Sequence, residues 1–273
     1  MIVLRRPRMS RLAWHEARSG LLFLSPWIIG FLAFTLIPVV ATLIFTFLNI
    51  KLDQEQPLRF VGGDYYNVVR LSERHTVLCI ADVAGKGWAA ALLMSSLQAA
   101  LKPLIWQRLA PRELCHRLNR ILCDLTPVGK FISFFYAVLD SVDNRLTYCN
   151  AGHNPPLLIR PDGASTELKA AGAVLGQFPR WLYEQSELQM RSGDKLLLFT
   201  DGLVEACNVE EESFGEHNVI RIARENSSSS AEELMSLLLR AASQHSGDFQ
   251  DDASLIVLKA SEGATLDLDG GIR

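Results

Sequence analysis

The sequence predicts an α+β layered domain preceded by an apolar N-terminal span, and three observations carry that prediction. Residues 19–50 contain no charged side chain. After residue 60 the chain changes to short apolar or alternating runs separated by turns, the pattern of strands. Those runs come in groups, with helix-patterned segments in separate pairs, which argues against a doubly wound parallel sheet.

The N-terminal part divides by charge. Residues 1–18 form a basic segment carrying Arg5, Arg6, Arg8, Arg11 and Arg18. Residues 19–50 read as one transmembrane helix, because about 20 apolar residues cross the bilayer core. Pro26 suits a helix start, and Pro38 is an internal proline of the kind membranes tolerate. The run is longer than the apolar stretch of a cleaved signal peptide. Only Lys51 and Arg59 follow nearby, so the positive-inside rule puts the N-terminus in the cytoplasm and the rest of this single-pass chain beyond the membrane. No second apolar run of comparable length is read downstream.

Residues 51–60 are a polar linker, 61–260 the folded domain and 261–273 a disordered tail. Within the domain, "TVLCIADV" reads as a buried strand running into a polar loop. "AAALLMSSLQAALKPLIW" has helical spacing and is expected to break near Pro103. Pro111 at a helix start precedes the amphipathic "RELCHRLNRILCDL". Three strand-like runs follow, "FISFFYAVLD", "RLTYCNAG" and "PPLLIRP", separated by the turns "SVDN" and "GHNP". "YEQSELQM" and "DKLLLFTD" are read as a strand pair joined by the turn "RSGD". "SSSSAEELMSLLLRAAS" opens with N-cap candidates and Glu at capping-box spacing. "DDASLIVLKA" closes the domain as a strand.

Composition narrows the function classes. The 273-residue chain has a net charge of −3 and no basic stripe outside its first eighteen residues, which argues against nucleic-acid binding. Its five cysteines, Cys79, Cys115, Cys123, Cys149 and Cys207, include no CxxC pair and read as reduced thiols acting as small hydrophobes.

Acidic residues recur in one local context, where an apolar strand meets a small-residue turn. They are Asp64 in "VGGDYY", Asp82 in "IADVAGKG", Asp201 in "LLLFTDGLVEA", and Asp251 with Asp252 in "QDDASLIV". Each alone is an ordinary turn residue. Gathered at one sheet edge, such carboxylates repel one another unless a cation lies between them. An oxygen-only ligand set favours Mg²⁺ or Mn²⁺ over Zn²⁺. Two such ions can lower the pKa of a water held between them and make it a nucleophile towards phosphorus.

The ordered set "VGGDYY", "DVAGKGWAAALLM", "FISFFYAVLD", "NAGHNPPLL", "LLLFTDGLVEA" and "DDASLIVLK" resembles the metal-dependent type-2C protein phosphatases. The branch it resembles is the sigma-factor-regulating, stage-II-sporulation-E-like one, over about residues 61–260. The resemblance implies an αββα sandwich of two antiparallel sheets flanked by helices. It further implies two Mn²⁺ or Mg²⁺ ions and hydrolysis of phosphoserine or phosphothreonine on a partner protein, in this branch an anti-sigma-factor antagonist. Carried over by motif, Asp82 bridges both metals and the Val83 carbonyl joins one of them. Asp201 and Asp251 complete the first ion's shell, Asp64 holds the second, and Asp252 orients its neighbour or faces solvent. Asp82 and Asp201 are thereby the catalytic pair. That function expects a cytoplasmic domain, opposite to the side given by the arginines.

Residues 10–62, including "LLFLSPWIIGFLAFTLIPVVATLIFTF" and "PLRFVG", resemble instead the start of a sugar-type ABC transporter permease subunit. A fusion of a permease fragment with a phosphatase domain is therefore one alternative reading. Another is a weakened phosphatase acting as a binding module, because Asn67 stands where the phosphatase pattern has Asp. The polar "DQEQPLRF" leaves no strand upstream of Asp64, so the sheet edge is expected to be open there.

The remaining candidates have plainer readings. Lys86 in "AGKGW" lacks the flanking residues of a phosphate loop, since Ile80 and Gly87 occupy the places that need Gly and Ser or Thr. His153 has the chemistry of a general acid, but before two prolines it reads as a turn histidine bonded to backbone. Asn150, Asn154 and Gly176 read as turn formers, and Trp88 and Trp106 as packing residues.

Overall fold

The computed structural model describes residues 63–169, 172–247 and 252–260, with isolated positions 14, 18, 19, 24, 25 and 31 near the N-terminus. Apart from those positions, the span at 19–50, the linker, the permease-like stretch and the tail lie outside the described residues, as does Asp251. The chain separates into two compact units, Met1–Pro57 and Leu58–Arg273, and the elements below belong to the second.

The strands in chain order are β1 (Asp64–Arg70), β2 (His75–Val83), β3 (Ile132–Asp140), β4 (Arg145–Ala151), β5 (Leu157–Ile159), β6 (Ser165–Glu167), β7 (Ser186–Gln189), β8 (Lys195–Phe199) and β9 (Leu255–Lys259). The helices are α1 (Trp88–Ile105), α2 (Pro111–Cys123), α3 (Asp201–Val204), α4 (Gly215–Glu225) and α5 (Ala231–Ser246). One sheet runs β1-β2-β3-β4-β7 and the other β6-β5-β8-β9. Every pairing between these strands is antiparallel.

Strand alternation sorts the side chains into three cores between four layers. On β2, Val77, Cys79, Ala81 and Val83 meet Leu93, Leu97 and Leu101 of α1 and Leu114, Leu118 and Leu122 of α2. Leu78 and Ile80 point the other way, onto Leu196 and Leu198 of β8 and Ile256 and Leu258 of β9. The opposite face of the second sheet, Leu197, Phe199, Leu255 and Val257, packs on α4 and α5 through Val219, Ile222, Leu234 and Leu238. The result is the expected helix–sheet–sheet–helix sandwich. Each buried Leu or Val contributes about 1.5–3 kcal/mol of apolar transfer.

Several elements refine the expectations. α1 runs through Pro103 to Ile105. Pro103 lacks the N–H that would bond to the Ala99 carbonyl, and both residues lie on the exposed side, where that carbonyl reaches solvent. With 18 residues and a mean hydropathy of 1.3, α1 is long and apolar enough to cross a membrane. Its buried Leu93, Leu97 and Leu101 nevertheless make it a helix of the domain core. Trp88 and Trp106, expected to pack, are instead 65% and 58% exposed. The capping box of α5 is present: Ser230 Oγ accepts from Glu233 N at 3.1 Å and Ser230 N donates to Glu233 Oε2 at 2.8 Å.

The expected pairing of "YEQSELQM" with "DKLLLFTD" does not form. β7 pairs with β4 in the first sheet, and β8 lies between β5 and β9 in the second. "RSGD" is thus a crossover between layers. β8 is buried along its whole length, while β7 is half exposed. The five cysteines are free thiols, three of them buried in the first sheet's core. Among the described residues β1 is the last strand of its sheet, and the residues before Gly63, on which the open-edge expectation rests, lie outside them.

Candidate active site

The two sheets meet at the end where their acidic residues sit. Asp64 opens β1 directly opposite Asp82 near the end of β2. From the second sheet, Thr200 follows β8, and its Oγ1 donates to Asp64 Oδ2 at 2.7 Å. Ser254, just before β9, ties Thr200 in place: its N–H donates to Thr200 Oγ1 at 2.9 Å and its carbonyl accepts from Thr200 N at 3.0 Å. One hydroxyl therefore joins a carboxylate of one sheet to the backbone of the other.

Glycines make this crowding possible. A Cβ on Gly63 would lie 3.1 Å from the Val83 carbonyl oxygen, 3.4 Å from Asp82 Oδ1 and 3.5 Å from the Gly85 carbonyl oxygen. Three oxygens thus converge on one point beside β1. Asp201 begins α3, and a Cβ on the next residue, Gly202, would collide with the Asp252 carbonyl. Only glycine lets the Asp252 backbone pass so close to Asp201.

Electrostatics mark the same place. Burial pushes the Asp64 carboxyl from 3.8 up to about 6, the negative charges of Asp252 and Asp201 push the same way, and hydrogen bonds from Thr200 and Ser254 partly oppose them. Asp252 accordingly lies nearer the cluster than its sequence reading implied. An excess of carboxylate oxygens, with carbonyl oxygens beside them, is a donor set for a hard divalent cation. Among the described residues no group of three His, Cys, Asp or Glu side chains forms a finished ligand set, and Asp251 lies outside those residues. The oxygens around Gly63 and the mutual repulsion at Asp64 fit a cation.

His153 lies below this cluster and is 5% exposed. Its Nδ1 meets Ser133 Oγ at 2.8 Å, and that hydroxyl reaches the Asp82 carbonyl at 3.5 Å. Burial lowers the His153 pKa from 6.5 to about 4, and the Phe199 carbonyl beside the ring offsets part of this. Nε2 nonetheless makes no hydrogen bond of ordinary geometry among the described residues. A neutral imidazole at pH 7 is no proton donor in the general-acid sense. Asn150 shapes the turn as expected, giving Nδ2 to the His153 carbonyl at 2.9 Å and taking the His153 N–H at 2.8 Å. The ring meets a side chain, Ser133, and has the backbone carbonyl of Phe199 beside it.

Asn67 points away from the cluster. It shares a face with Tyr65 and Val69, which pack on the α1–α2 side, and its Nδ2 donates to Tyr65 Oη at 2.9 Å. Asp64 faces Thr200 across the sheets. The sequence reading missed Thr200, Ser254 and Ser133. The available signal was a hydroxyl beside an acid in both "FTDG" and "DDAS".

Comparison with known proteins places this architecture. The family model "Stage II sporulation protein E (SpoIIE)" matches residues 72–261. The phosphoserine phosphatase RsbU of Bacillus subtilis is 32% identical over 235 residues, covering 82% of this chain and 69% of RsbU. The crystal structure of the RsbU and RsbW domains of Rv1364c from Mycobacterium tuberculosis superposes with a TM-score of 0.64 at 25% identity, over 73% of this chain and 55% of that one. The PP2C phosphatase domain of SpoIIE from Bacillus subtilis gives a TM-score of 0.65 at 20% identity, over 77% and 60% of the two chains. The chain belongs to the SpoIIE family of PP2C-type protein phosphatases.

Proposed function

We propose that this chain hydrolyses phosphoserine, or phosphothreonine, on a partner protein of the anti-sigma-factor-antagonist type, with two Mn²⁺ or Mg²⁺ ions at the junction of its sheets. The observation that carries this reading is the carboxylate crowding around Asp64, beside the carbonyl oxygens of Val83 and Gly85, in a chain 32% identical to a phosphoserine phosphatase. Asp82 and the Val83 carbonyl would hold one side of the metal site, and Asp64, Asp201 and Asp251 the rest. Bound divalent ions supply charge neutralisation and an acidified water.

The chain's own residues do the positioning. Thr200 orients the Asp64 carboxylate through Oδ2, and Ser254 adds a second hydrogen bond to that carboxyl. Gly63 and Gly202 keep the backbone low enough for oxygens to converge. The test is phosphate release from a phosphoserine antagonist protein by the full chain, with Mn²⁺ against chelator. Manganese-dependent turnover is expected, and a folded, metal-replete sample with none overturns the proposal.

A further inference from the structure

A phosphoserine side chain brings a dianion to a site lined by Asp64, Asp82, Asp201 and Asp252, where every cation that can meet it matters. Lys130 stands at its rim. Pro127–Lys130 form a tight turn, with Lys130 N donating to the Pro127 carbonyl at 3.0 Å and Gly129 at φ 81°. The next residue fastens this turn to the loop after β2, because the Phe131 carbonyl accepts from Ala84 N at 2.9 Å. The Lys130 side chain then crosses to Gly85, where a Cβ would collide with Nζ before any other atom. Gly85, at φ 102°, is thus a notch filled by an ammonium group. Its carbonyl oxygen is one of the three that converge beside Gly63.

Other enclosed cations in this domain are matched. Lys195 Nζ donates to the Asn226 and Ser227 carbonyls, Lys259 Nζ to the Ser229 carbonyl, and Arg160 pairs with Asp194. Lys130 is half-buried, yet among the described residues its Nζ makes no hydrogen bond or ion pair. An ammonium with donors to spare, seated against Gly85, whose carbonyl belongs to the oxygen cluster, is suited to an incoming anion.

We propose that Lys130 binds the phosphoryl oxygens of the substrate, an inference that rests on the phosphatase reading above. Its four-carbon stem, anchored by a turn tied to the metal-site loop, lets Nζ leave the Gly85 notch and follow the phosphoryl group. The same contact holds inorganic phosphate, the product.

The test uses the full 273-residue chain with Mn²⁺ and compares wild type with Lys130→Met, Lys130→Gln and Lys130→Arg. Removing one charge-assisted contact is expected to raise the KM for the phosphoserine protein roughly ten- to a hundredfold in Lys130→Met. Inhibition by inorganic phosphate, and its binding measured by calorimetry, should weaken by a similar factor. Mn²⁺ affinity and the unfolding midpoint should stay at wild-type values, and Lys130→Arg should recover most of the loss. If Lys130→Met fails to fold, Lys130→Gln carries the comparison, as it keeps a hydrogen-bond donor without the charge. A wild-type enzyme that turns over while these neutral variants match its KM and phosphate inhibition within about twofold overturns this proposal alone. Equal losses of Mn²⁺ and phosphate binding overturn it in favour of a structural role. A wild-type chain that neither turns over nor binds phosphate overturns the phosphatase reading with it.

Discussion

Asp64 and His153 titrate in overlapping windows with opposite effects on stability, and separating them tests the electrostatic description of the site. In the metal-free chain, folding raises the Asp64 carboxyl from 3.8 to about 6. The folded state keeps a proton there that the unfolded state has lost, so the contribution is full below 3.8 and disappears as pH rises through 6. At 1.36 kcal/mol per pH unit this amounts to about 3 kcal/mol. Folding lowers His153 from 6.5 to about 4. The unfolded state there binds a proton the folded state refuses, so stability is full above 6.5 and lost, again by about 3 kcal/mol, as pH falls through 4. Between pH 4 and 6 the two slopes nearly cancel in the wild type.

Single variants expose them. Chelator-treated Asp64→Asn should lose stability on acidification from pH 6.5 to 4, with only the histidine slope remaining. His153→Gln should gain stability over the same range. Urea unfolding of the full chain at four pH values reads both, and groups common to the two proteins drop out of the difference. The two profiles should diverge by about 5 kcal/mol across the window. Parallel profiles would refute the assignment of these two buried groups.

Three further outcomes follow from the geometry. Asp82→Asn should cut phosphoserine hydrolysis by at least about a hundredfold, since oriented charge at a reacting centre carries that much; near-normal initial rates would remove Asp82 from its role. Asn67→Asp should change the rate by less than about twofold, because Asn67 faces Tyr65 and the helices; a tenfold gain would revive the weakened-site reading. Gly202→Ala places a methyl against the Asp252 carbonyl and should lower stability by about 1–3 kcal/mol. A thermal midpoint at the wild-type value would show that the backbone there yields freely.

The layered fold was legible because strand-like runs come in groups and helix-patterned segments in separate pairs. Residues Val77, Leu78, Cys79 and Ile80 feed two different cores in turn, and a strand buried on both faces is apolar throughout. The β7–β8 misreading has an equally physical cause. Two strand-like runs joined by a good turn look like a hairpin, and the deciding clue is burial. β8 is apolar on both faces, as a central strand between two cores must be, while β7 alternates at an edge. Helix α4 went unread because "GEHNVIRIARE" shows only three buried positions among charged ones. At the site, the strand-end acids were visible one by one. Thr200, which joins Asp64 to the second sheet, carries no motif of its own.

The Thr200–Asp64 hydrogen bond spans 136 positions of sequence. A ribosome that has completed β1 to β4 has made only half of the carboxylate cluster; the rest arrives with β8 and β9. Contacts of such separation close late, because the chain between them must order first. The acidic centre therefore matures only when the two sheets dock, and a nascent or partly proteolysed chain missing its last strand cannot assemble it. Any influence that pries the sheets apart at this end, even slightly, would dismantle the centre before the rest of the sandwich.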